Sequence, residues 1–239
     1  RKHWMIPECN VPRKAFSDYI GSDDAQRNFV SKASILCQIN NILQLHIYKI
    51  GEEAEYDKAQ MEFELMGLYK KLEGVDPYFA PLNNSGISYK TTSDLLFAKT
   101  YDPDRTAALN LPAAVEGGAF RDADGHYTYA LWAKTTEDQS ETASMTYRFP
   151  ASLNLPPLIR REWDYGLTFE QETSTDPKVV LSASPSFFTE SRFSASTSSG
   201  CLPLDIRFDG QGLPNGLRRR WTFEGGQPFT STEASPQVR

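Results

Sequence analysis

The sequence of 239 residues contains no run of 18 consecutive apolar residues, which excludes a transmembrane helix of ordinary length. It has only three cysteines, scattered along the chain, and these are too few for a disulfide framework. It also has only three histidines, and no second histidine lies near His46, so the histidine pairs of typical zinc sites are missing. Neither a metal nor a cofactor is therefore expected.

Basic residues are scarce relative to acidic ones, because 25 Lys and Arg stand against 31 Asp and Glu, for a net charge of −6. This balance argues against a general nucleic-acid partner, since nucleic acids attract positive surfaces. The one basic run, Arg218 to Arg220, precedes core-like aromatic residues and is interpreted as a solvated strand edge. The remaining composition, 39% hydrophobic and 23% charged, is typical of a folded protein.

Residues 1–98 alternate between strand and helix patterns. The predicted strands are 1–8 and 42–51, and the predicted helices are 22–41, 56–74 and 88–100. Ser22 is the candidate cap of the first helix, whose first turn is acidic, as the helix dipole favours. A strand–helix–strand order predicts parallel pairing with a helical crossover. Two parallel strands do not make a stable sheet, so we expect residues 1–98 to be the end of a larger α/β domain that begins before Arg1.

Residues 99–188 lose the helical period and show short alternating segments separated by turns. The predicted strands here are 126–135, 141–149, 167–173 and 178–188. This pattern is typical of a β-sandwich. Residues 189–239 form a third block with more alternating segments, but about 50 residues are few for an independent β domain, so this block is expected to be incomplete. The expected fold class is therefore α/β plus all-β, in three parts.

Four segments of residues 1–98 resemble clan-A glycoside hydrolases. "WMIPECNVPR" and "LQLHIYKIGE" are similar to the ends of the seventh and eighth barrel strands, and "FELMGLYKKL" and "ISYKTTSDLL" are similar to the final helical region. The resemblance implies that residues 1–98 are the last two βα units of a TIM barrel, the (β/α)₈ fold. "VVLSASPSFF" is similar to the end of the small β-sandwich that often follows such barrels.

This sequence departs from the family pattern in two ways. Pro7 stands where many relatives have threonine, and the fourth-strand motif that supplies the acid/base of the clan is not in this chain. The chain by itself is therefore expected to be inactive. Its expected partners are a polysaccharide or oligosaccharide substrate and the missing N-terminal part of the same barrel.

The C-terminal part resembles a second family. "SGCLPLDIRFDG", "WTFEGGQPFTST" and "SPQV" match, in order, a PKD-type repeat. Such repeats are immunoglobulin-like modules of secreted bacterial polysaccharide-degrading enzymes. The resemblance implies that residues 189–239 are a truncated PKD-like module and that the protein is bacterial and either secreted or on the cell surface. Cys201 lies in this module, and any disulfide partner of Cys201 is expected beyond Arg239.

Glu8 is the principal catalytic candidate. Strict alternation places Trp4, Ile6 and Glu8 on one face of the first strand and Met5 and Pro7 on the other. In a barrel that face points inward, and Glu8 at the carboxyl end lies at the mouth, where barrel active sites form. The resemblance implies that Glu8 is the nucleophile of a retaining mechanism. The alternative is a glutamate in a surface loop.

His46 and Tyr48 share the polar face of the second strand, while apolar residues fill its other face. If the apolar face meets the outer helices, His46 is placed to hydrogen-bond a sugar hydroxyl and Tyr48 to contact Glu8. Both are therefore candidate substrate-binding residues. The alternative for His46 is an interior histidine with its hydrogen bonds satisfied inside the protein.

The patterns around the other polar and aromatic residues favour structural roles over functional ones. The three glutamates of residues 52–55 are interpreted as a solvated acidic loop, with the mouth of the cleft as the alternative. Trp132 points away from Tyr127 and Tyr129 in one strand, which favours core packing over a sugar-stacking platform. Cys9 follows Glu8 but has no histidine base placed beside it, so it is not a candidate nucleophile.

These patterns together predict part of a secreted, multidomain glycoside hydrolase that cleaves β-linked glycosides with retention. The alternative is a non-catalytic cell-surface protein, in which a degenerate barrel binds glycans or only holds its neighbours. A carboxylate after the fourth barrel strand separates the two, because a retaining enzyme needs a second carboxylate to protonate the leaving oxygen.

Overall fold

The computed structural model describes residues 4–74, 76, 79–135, 141–174, 176–190, 193–195, 204–210, 220–233 and 235–239. The chain divides into two compact units, Arg1–Glu190 and Ser191–Arg239. Within the described ranges, no helix is both long enough and apolar enough to cross a membrane. Cys201, Arg218 and Arg219, which the sequence singled out, lie outside the described residues.

The first unit begins with a strand pair linked through a helix. Its first elements are β1 (Met5–Cys9), β2 (Lys14–Phe16), β3 (Tyr19–Ser22), α1 (Asp23–Ile39) and β4 (Gln44–Ile47). β1 and β4 pair in parallel, as the strand–helix–strand order predicts. Ser22 caps α1, because its Oγ accepts a hydrogen bond from the Ala25 amide at 3.0 Å. β2 and β3 form a short antiparallel hairpin that leads into α1.

The predicted helix over 56–74 is wrong. The structure has only a short 3-10 helix there, at Glu62–Leu65. Residues 66–69 run alongside the loop that follows β4, and the Leu68 amide donates to the Lys49 carbonyl at 2.9 Å. Their backbone groups are thereby paired with distant partners, which replaces the i to i−4 hydrogen bonds that a helix needs.

The next helix lies upstream of its predicted bounds, 88–100. It is α2 (Asn84–Leu96), and Asn83 precedes it with its amide bonded to the Leu68 carbonyl at 2.8 Å. The chain leaves α2 at Phe97, whose backbone has φ −56 and ψ 135. The last predicted helical residue belongs instead to β5 (Thr100–Asp102).

The rest of the first unit is mostly antiparallel. After β5 come α3 (Pro103–Ala108), β6 (Val115–Arg121), β7 (Tyr127–Ala133), β8 (Ser144–Arg148), a 3-10 helix (Ala151–Leu153), β9 (Leu158–Arg161), α4 (Tyr165–Thr168), β10 (Glu172–Ser174), β11 (Lys178–Ser182) and β12 (Ser186–Glu190). Six strands form one sheet in the order β10-β9-β12-β7-β6-β5, and β11 pairs with β8 in a second. The strand predicted over 167–173 is only partly correct, because α4 takes its first residues.

The six-stranded sheet is covered on both faces. On one face Tyr129 and Phe188 pack with Tyr147 of β8 and Leu181 of β11. On the other face Trp132 packs with buried residues of the two long helices, which are Ile35 of α1 and Leu96 of α2. The two helices therefore pack on the six-stranded sheet through a shared apolar cluster, which explains why they belong to the same compact unit as the β-rich part.

The second unit is small and antiparallel. Its strands are β13 (Phe193–Ala195), β14 (Ile206–Gly210), β15 (Trp221–Thr222), β16 (Thr230–Ser231) and β17 (Gln237–Val238). β13, β14 and β17 form one sheet, and β15 and β16 form another. Phe208, Trp221 and Phe223 gather at its centre, with the Phe208 and Phe223 ring centroids 4.9 Å apart. This aromatic cluster supplies much of the limited apolar core.

Candidate active site

β1 contains a bulge just before its carboxyl end. Ile6 pairs with Leu45, and Cys9 pairs with Ile47, so β1 advances one residue more than β4 between the two pairs. Residues paired across neighbouring strands point to the same face, and Ile6 and Cys9 therefore share a face. The strict alternation predicted for β1 is wrong, because Ile6 and Glu8 lie on opposite faces.

The bulge brings Glu8 onto the polar face of the strand pair. Glu8 precedes Cys9 directly and so points away from the Cys9 face, while His46 lies between Leu45 and Ile47 and points the same way as Glu8. Glu8 and His46 are exposed, and their neighbours on the opposite face are half-buried. The structure thus brings these two predicted site residues to one face, at the carboxyl ends of adjacent parallel strands.

Tyr48 lies one residue beyond β4 and is half-buried. Its amide donates to the Cys9 carbonyl at 3.0 Å, and the Cys9 Sγ donates to the His46 carbonyl at 3.6 Å. The peptide bond between Tyr48 and Lys49 is cis. The two hydrogen bonds attach the backbone that carries Tyr48 directly to Cys9, the residue after Glu8.

The loops after the two strands are held by a common acceptor, the Met66 carbonyl. The Asn10 side chain donates to it at 2.7 Å and the Lys49 amide at 3.0 Å. The chain passes so close at Gly67 that a Cβ there would lie 2.3 Å from the Glu52 amide nitrogen. A glycine is required at this position because any side chain would collide with backbone.

Glu52 is buried and ion-paired. Only 6% of it is exposed, which contradicts the interpretation of residues 52–55 as a wholly solvated loop. Arg13 donates from Nε to Glu52 Oε1 at 2.5 Å and from Nη2 to Oε2 at 3.3 Å. Arg13 also reaches Asp23 at 3.3 Å. Glu53 remains exposed and pairs with Lys49, as a solvated loop residue would.

Burial raises the pKa of Glu52, while the hydrogen bond and the charge of Arg13 and a hydrogen bond from Asn83 hold that rise back. The Asn83 side-chain Nδ2 also donates to the Gly67 carbonyl at 2.9 Å. Arg13 and Asn83 are not predicted as site residues, because no local pattern in the sequence places them beside Glu52. The sequence offers only an arginine five residues beyond the first predicted strand and a glutamate directly after the second.

Cys9 and Cys37, the two cysteines that the structure describes, do not add a nucleophile. Both are free. The pKa of Cys9 is raised, mainly by burial and to a smaller extent by the nearby Cys37 thiol. A raised pKa keeps the thiol protonated and unreactive at neutral pH. In the part of the chain that the structure describes, no group of three or more His, Cys, Asp or Glu side chains is arranged to hold a metal ion.

The aromatic residues of β7 are core residues. Tyr129 and Trp132 are fully buried on opposite faces of the six-stranded sheet, as the sequence pattern indicated. The Tyr129 hydroxyl donates to Glu190 at 2.9 Å and accepts from Arg105 at 2.8 Å. Trp132 and Tyr129 are therefore not part of a sugar-stacking platform, because neither ring is accessible to a ligand, and Tyr127 is half-buried against the Tyr129 ring.

Comparison with solved structures relates this fold to glycoside hydrolases. A family 39 glycoside hydrolase from the gut symbiont Bacteroides cellulosilyticus WH2 aligns over 79% of this chain and 34% of its own, with a TM-score of 0.54 and 15% identity. The catalytic domain of GH30 xylanase C from Talaromyces cellulolyticus aligns over 78% of this chain and 40% of its own, with a TM-score of 0.42 and 12% identity. No protein-family model and no curated protein matches the sequence.

The likeness to the family 39 enzyme defines the class of fold. Most of this chain has a glycoside hydrolase-like fold, of mixed α/β composition with several sheets. The chain spans about a third of the length of that enzyme, because the alignment covers 34% of it. At this identity the likeness concerns the fold alone.

Proposed function

We propose that this chain supplies the last two βα units of a (β/α)₈ barrel and that Glu8 is the nucleophile of a retaining glycoside hydrolase. The observation that carries the proposal is the β1 bulge, because it puts Glu8 and His46 on one face at the carboxyl ends of adjacent parallel strands. Active sites of (β/α)₈ barrels are built at that edge. The fold likeness to a glycoside hydrolase supports the same reading.

The strand pair also supports a barrel contribution. Among the described residues, β1 and β4 pair only with each other, and both outer edges carry no further strand. Parallel sheets are normally covered on both faces and contain more strands than two. In the proposal, the remaining barrel strands occupy these edges and enclose the face that bears Glu8.

In this mechanism the Glu8 carboxylate attacks the anomeric carbon and forms a covalent glycosyl-enzyme. A second carboxylate, supplied from outside this chain about 5–5.5 Å away, protonates the leaving oxygen and then activates the water that hydrolyses the intermediate. His46 would hydrogen-bond a sugar hydroxyl, and Tyr48 would contact Glu8 and limit its rotation. The strand end fixes Glu8 more firmly than a loop does.

The test is made in a protein that carries the complete barrel. Glu8→Gln keeps the shape of the side chain but removes the nucleophilic charge, so turnover of a β-glycoside should fall by about 10⁴-fold or more with folding unchanged. The matched control is Glu53→Gln, an exposed carboxylate beyond β4 whose loss should leave turnover near wild type. A 2-deoxy-2-fluoroglycoside should label Glu8 alone.

Wild-type turnover in the Glu8→Gln protein would refute the catalytic role. Glycan binding without any hydrolysis by the wild-type barrel would indicate the non-catalytic alternative instead. We also propose that the protein is exported, because residues 189–239 resemble PKD-type repeats and such repeats are typical of exported bacterial enzymes. Cell fractionation checks this, and recovery of the protein only from the cytoplasm would contradict it.

A further inference from the structure

The first unit contains a second cleft that includes no residue of β1 or β4. It has a volume of about 490 Å³ and is bordered by α1, by the residues between β9 and β10, and by the end of β11. This volume lies within the range of protein sites for small ligands, about 300–1,000 Å³. α1 begins near the carboxyl end of β1, because Arg13, a few residues beyond that strand, reaches Asp23 in the first turn of α1 at 3.3 Å.

One wall of the cleft combines an indole with a fixed cation. The Arg27 guanidinium lies 4.6 Å from the centroid of the half-buried Trp163 ring. Arg27 also donates to Asp24 at 2.6 Å and to Asn28 at 3.1 Å, so three contacts fix its position. A half-buried tryptophan offers a ligand both an apolar surface and an N–H donor.

Another part of the lining is polar and already ordered. Arg160 donates to Glu162 at 2.5 Å, and the Ser186 hydroxyl donates to the same carboxylate at 3.0 Å. Gln171 is exposed at the rim, and its side-chain oxygen accepts from Arg161 at 3.0 Å, which leaves its amide hydrogens for a ligand. Polar groups held by such bonds lose little further entropy when a ligand binds.

The cleft also contains a hydroxyl without a partner. Ser184 lines the cleft, is 7% exposed, and its Oγ makes no hydrogen bond to any described residue. A buried hydroxyl without a hydrogen bond carries a free-energy penalty. One χ1 rotation redirects a serine hydroxyl, so a ligand in the cleft can supply the missing partner.

The charge of the lining selects among polar ligands. The lining contains two arginines and four carboxylates, which are those of Glu162, Asp164, Glu170 and Glu172. The excess negative charge repels anionic ligands. Carboxylate, amide and guanidinium groups together suit a neutral molecule that both donates and accepts many hydrogen bonds and also has an apolar face.

From these contacts we infer that the cleft between α1 and the β9–β10 segment binds a neutral oligosaccharide, with Trp163 against the apolar face of a sugar ring and Gln171, Glu162 and Ser184 bonded to hydroxyls. The choice of a glycan among polyhydroxylated ligands rests on the proposed function, whereas the cleft and its charge do not. The site is separate from Glu8 and needs no second carboxylate from elsewhere.

The experiment is calorimetric titration of this chain with xylohexaose, cellohexaose and mannohexaose, and with hexagalacturonate as the anionic comparison. At least one neutral hexasaccharide should bind with one-site stoichiometry, and hexagalacturonate should not. Trp163→Ala should weaken binding about tenfold, the equivalent of about 1.4 kcal/mol. Gln171→Ala, at an exposed position that does not threaten folding, should weaken it by about threefold to tenfold.

A control variant locates the binding. Phe97→Ala removes an aromatic ring that is 81% exposed and outside the cleft, and should leave affinity unchanged. The Glu8 proposal is tested separately by turnover in a complete barrel, so the two proposals can fail independently. The inference is overturned if none of the neutral hexasaccharides binds, if only hexagalacturonate binds, or if Trp163→Ala and Gln171→Ala both bind with wild-type affinity.

Discussion

Arg13 and Glu52 join the loop after β1 to the loop after β4 through two hydrogen bonds, of 2.5 Å from Nε and 3.3 Å from Nη2. The glutamate side chain is 2% exposed and the arginine side chain 13%. A planar guanidinium matches a carboxylate in this two-point geometry. The ion pair therefore sets the relative position of the two loops that extend from Glu8 and Tyr48.

Replacement of Arg13 should reveal this role as a loss of stability. Arg13→Ala leaves the buried Glu52 carboxylate without its cation, and we expect the free energy of unfolding to fall by about 3 kcal/mol at neutral pH. Urea denaturation of the chain measures it. The control is Lys90→Ala, which removes an exposed ion pair with Asp94 and should cost less than about 1 kcal/mol. Equal losses in the two variants would show that the buried ion pair contributes no more to the free energy of unfolding than the exposed one.

The effect of Arg13→Ala should depend on pH. Burial already raises the pKa of Glu52 above its ordinary 4.5, and removing Arg13 takes away the main influence that lowers it. A raised carboxyl pKa means that the folded state binds the proton more tightly than the unfolded state, so stability falls as pH rises from about 4.5 through the folded pKa. The difference between wild type and Arg13→Ala should shrink as the pH is lowered, and Glu52→Gln should remove the dependence. A difference that stays constant with pH would contradict this account.

The β1–β4 pair should exchange its amide hydrogens faster than the β-rich core. Its two strands have no further partner among the described residues, whereas β7 lies between β6 and β12 and contains fully buried side chains. Local opening is easier where few neighbours must be displaced. Hydrogen exchange followed by mass spectrometry compares Met5–Cys9 and Gln44–Ile47 with Tyr127–Ala133. Equal protection of these segments in a monomer would argue against open strand edges.

Gly67→Ala should disrupt the segment that holds both strand ends. The added Cβ would lie 2.3 Å from the Glu52 amide nitrogen, so the backbone has to move, at a cost of about 2 kcal/mol or more. Gly74→Ala is the control, because a Cβ at Gly74 would meet no atom of the described residues within 4 Å and only the φ of +73 disfavours alanine, at about 1 kcal/mol. Thermal unfolding of both variants checks the order. A smaller loss at Gly67 than at Gly74 would mean that the close approach relaxes easily.

Local patterns in the sequence determined the elements whose stabilising contacts lie close along the chain. Ser22 and the acidic first turn mark the start of α1, and the cap hydrogen bond forms as predicted. The alternation in β7 places Tyr129 and Trp132 on opposite faces, where the structure buries both. The strand–helix–strand order determined the parallel pairing of β1 with β4, because a crossover helix returns the chain in the same direction.

Only the tertiary structure decided the details on which the two proposed sites depend. The β1 bulge follows from pairing with β4, and it alone moves Glu8 to the face of His46. Residues 66–69 look helical by composition, but their backbone is bonded to the loop after β4. The cleft beside Trp163 gathers residues from α1 and from a segment more than a hundred positions later. Hydrophobic period and propensity act over a few neighbouring residues, whereas register, buried ion pairs and clefts arise from contacts between distant parts of the chain, and these override local preference.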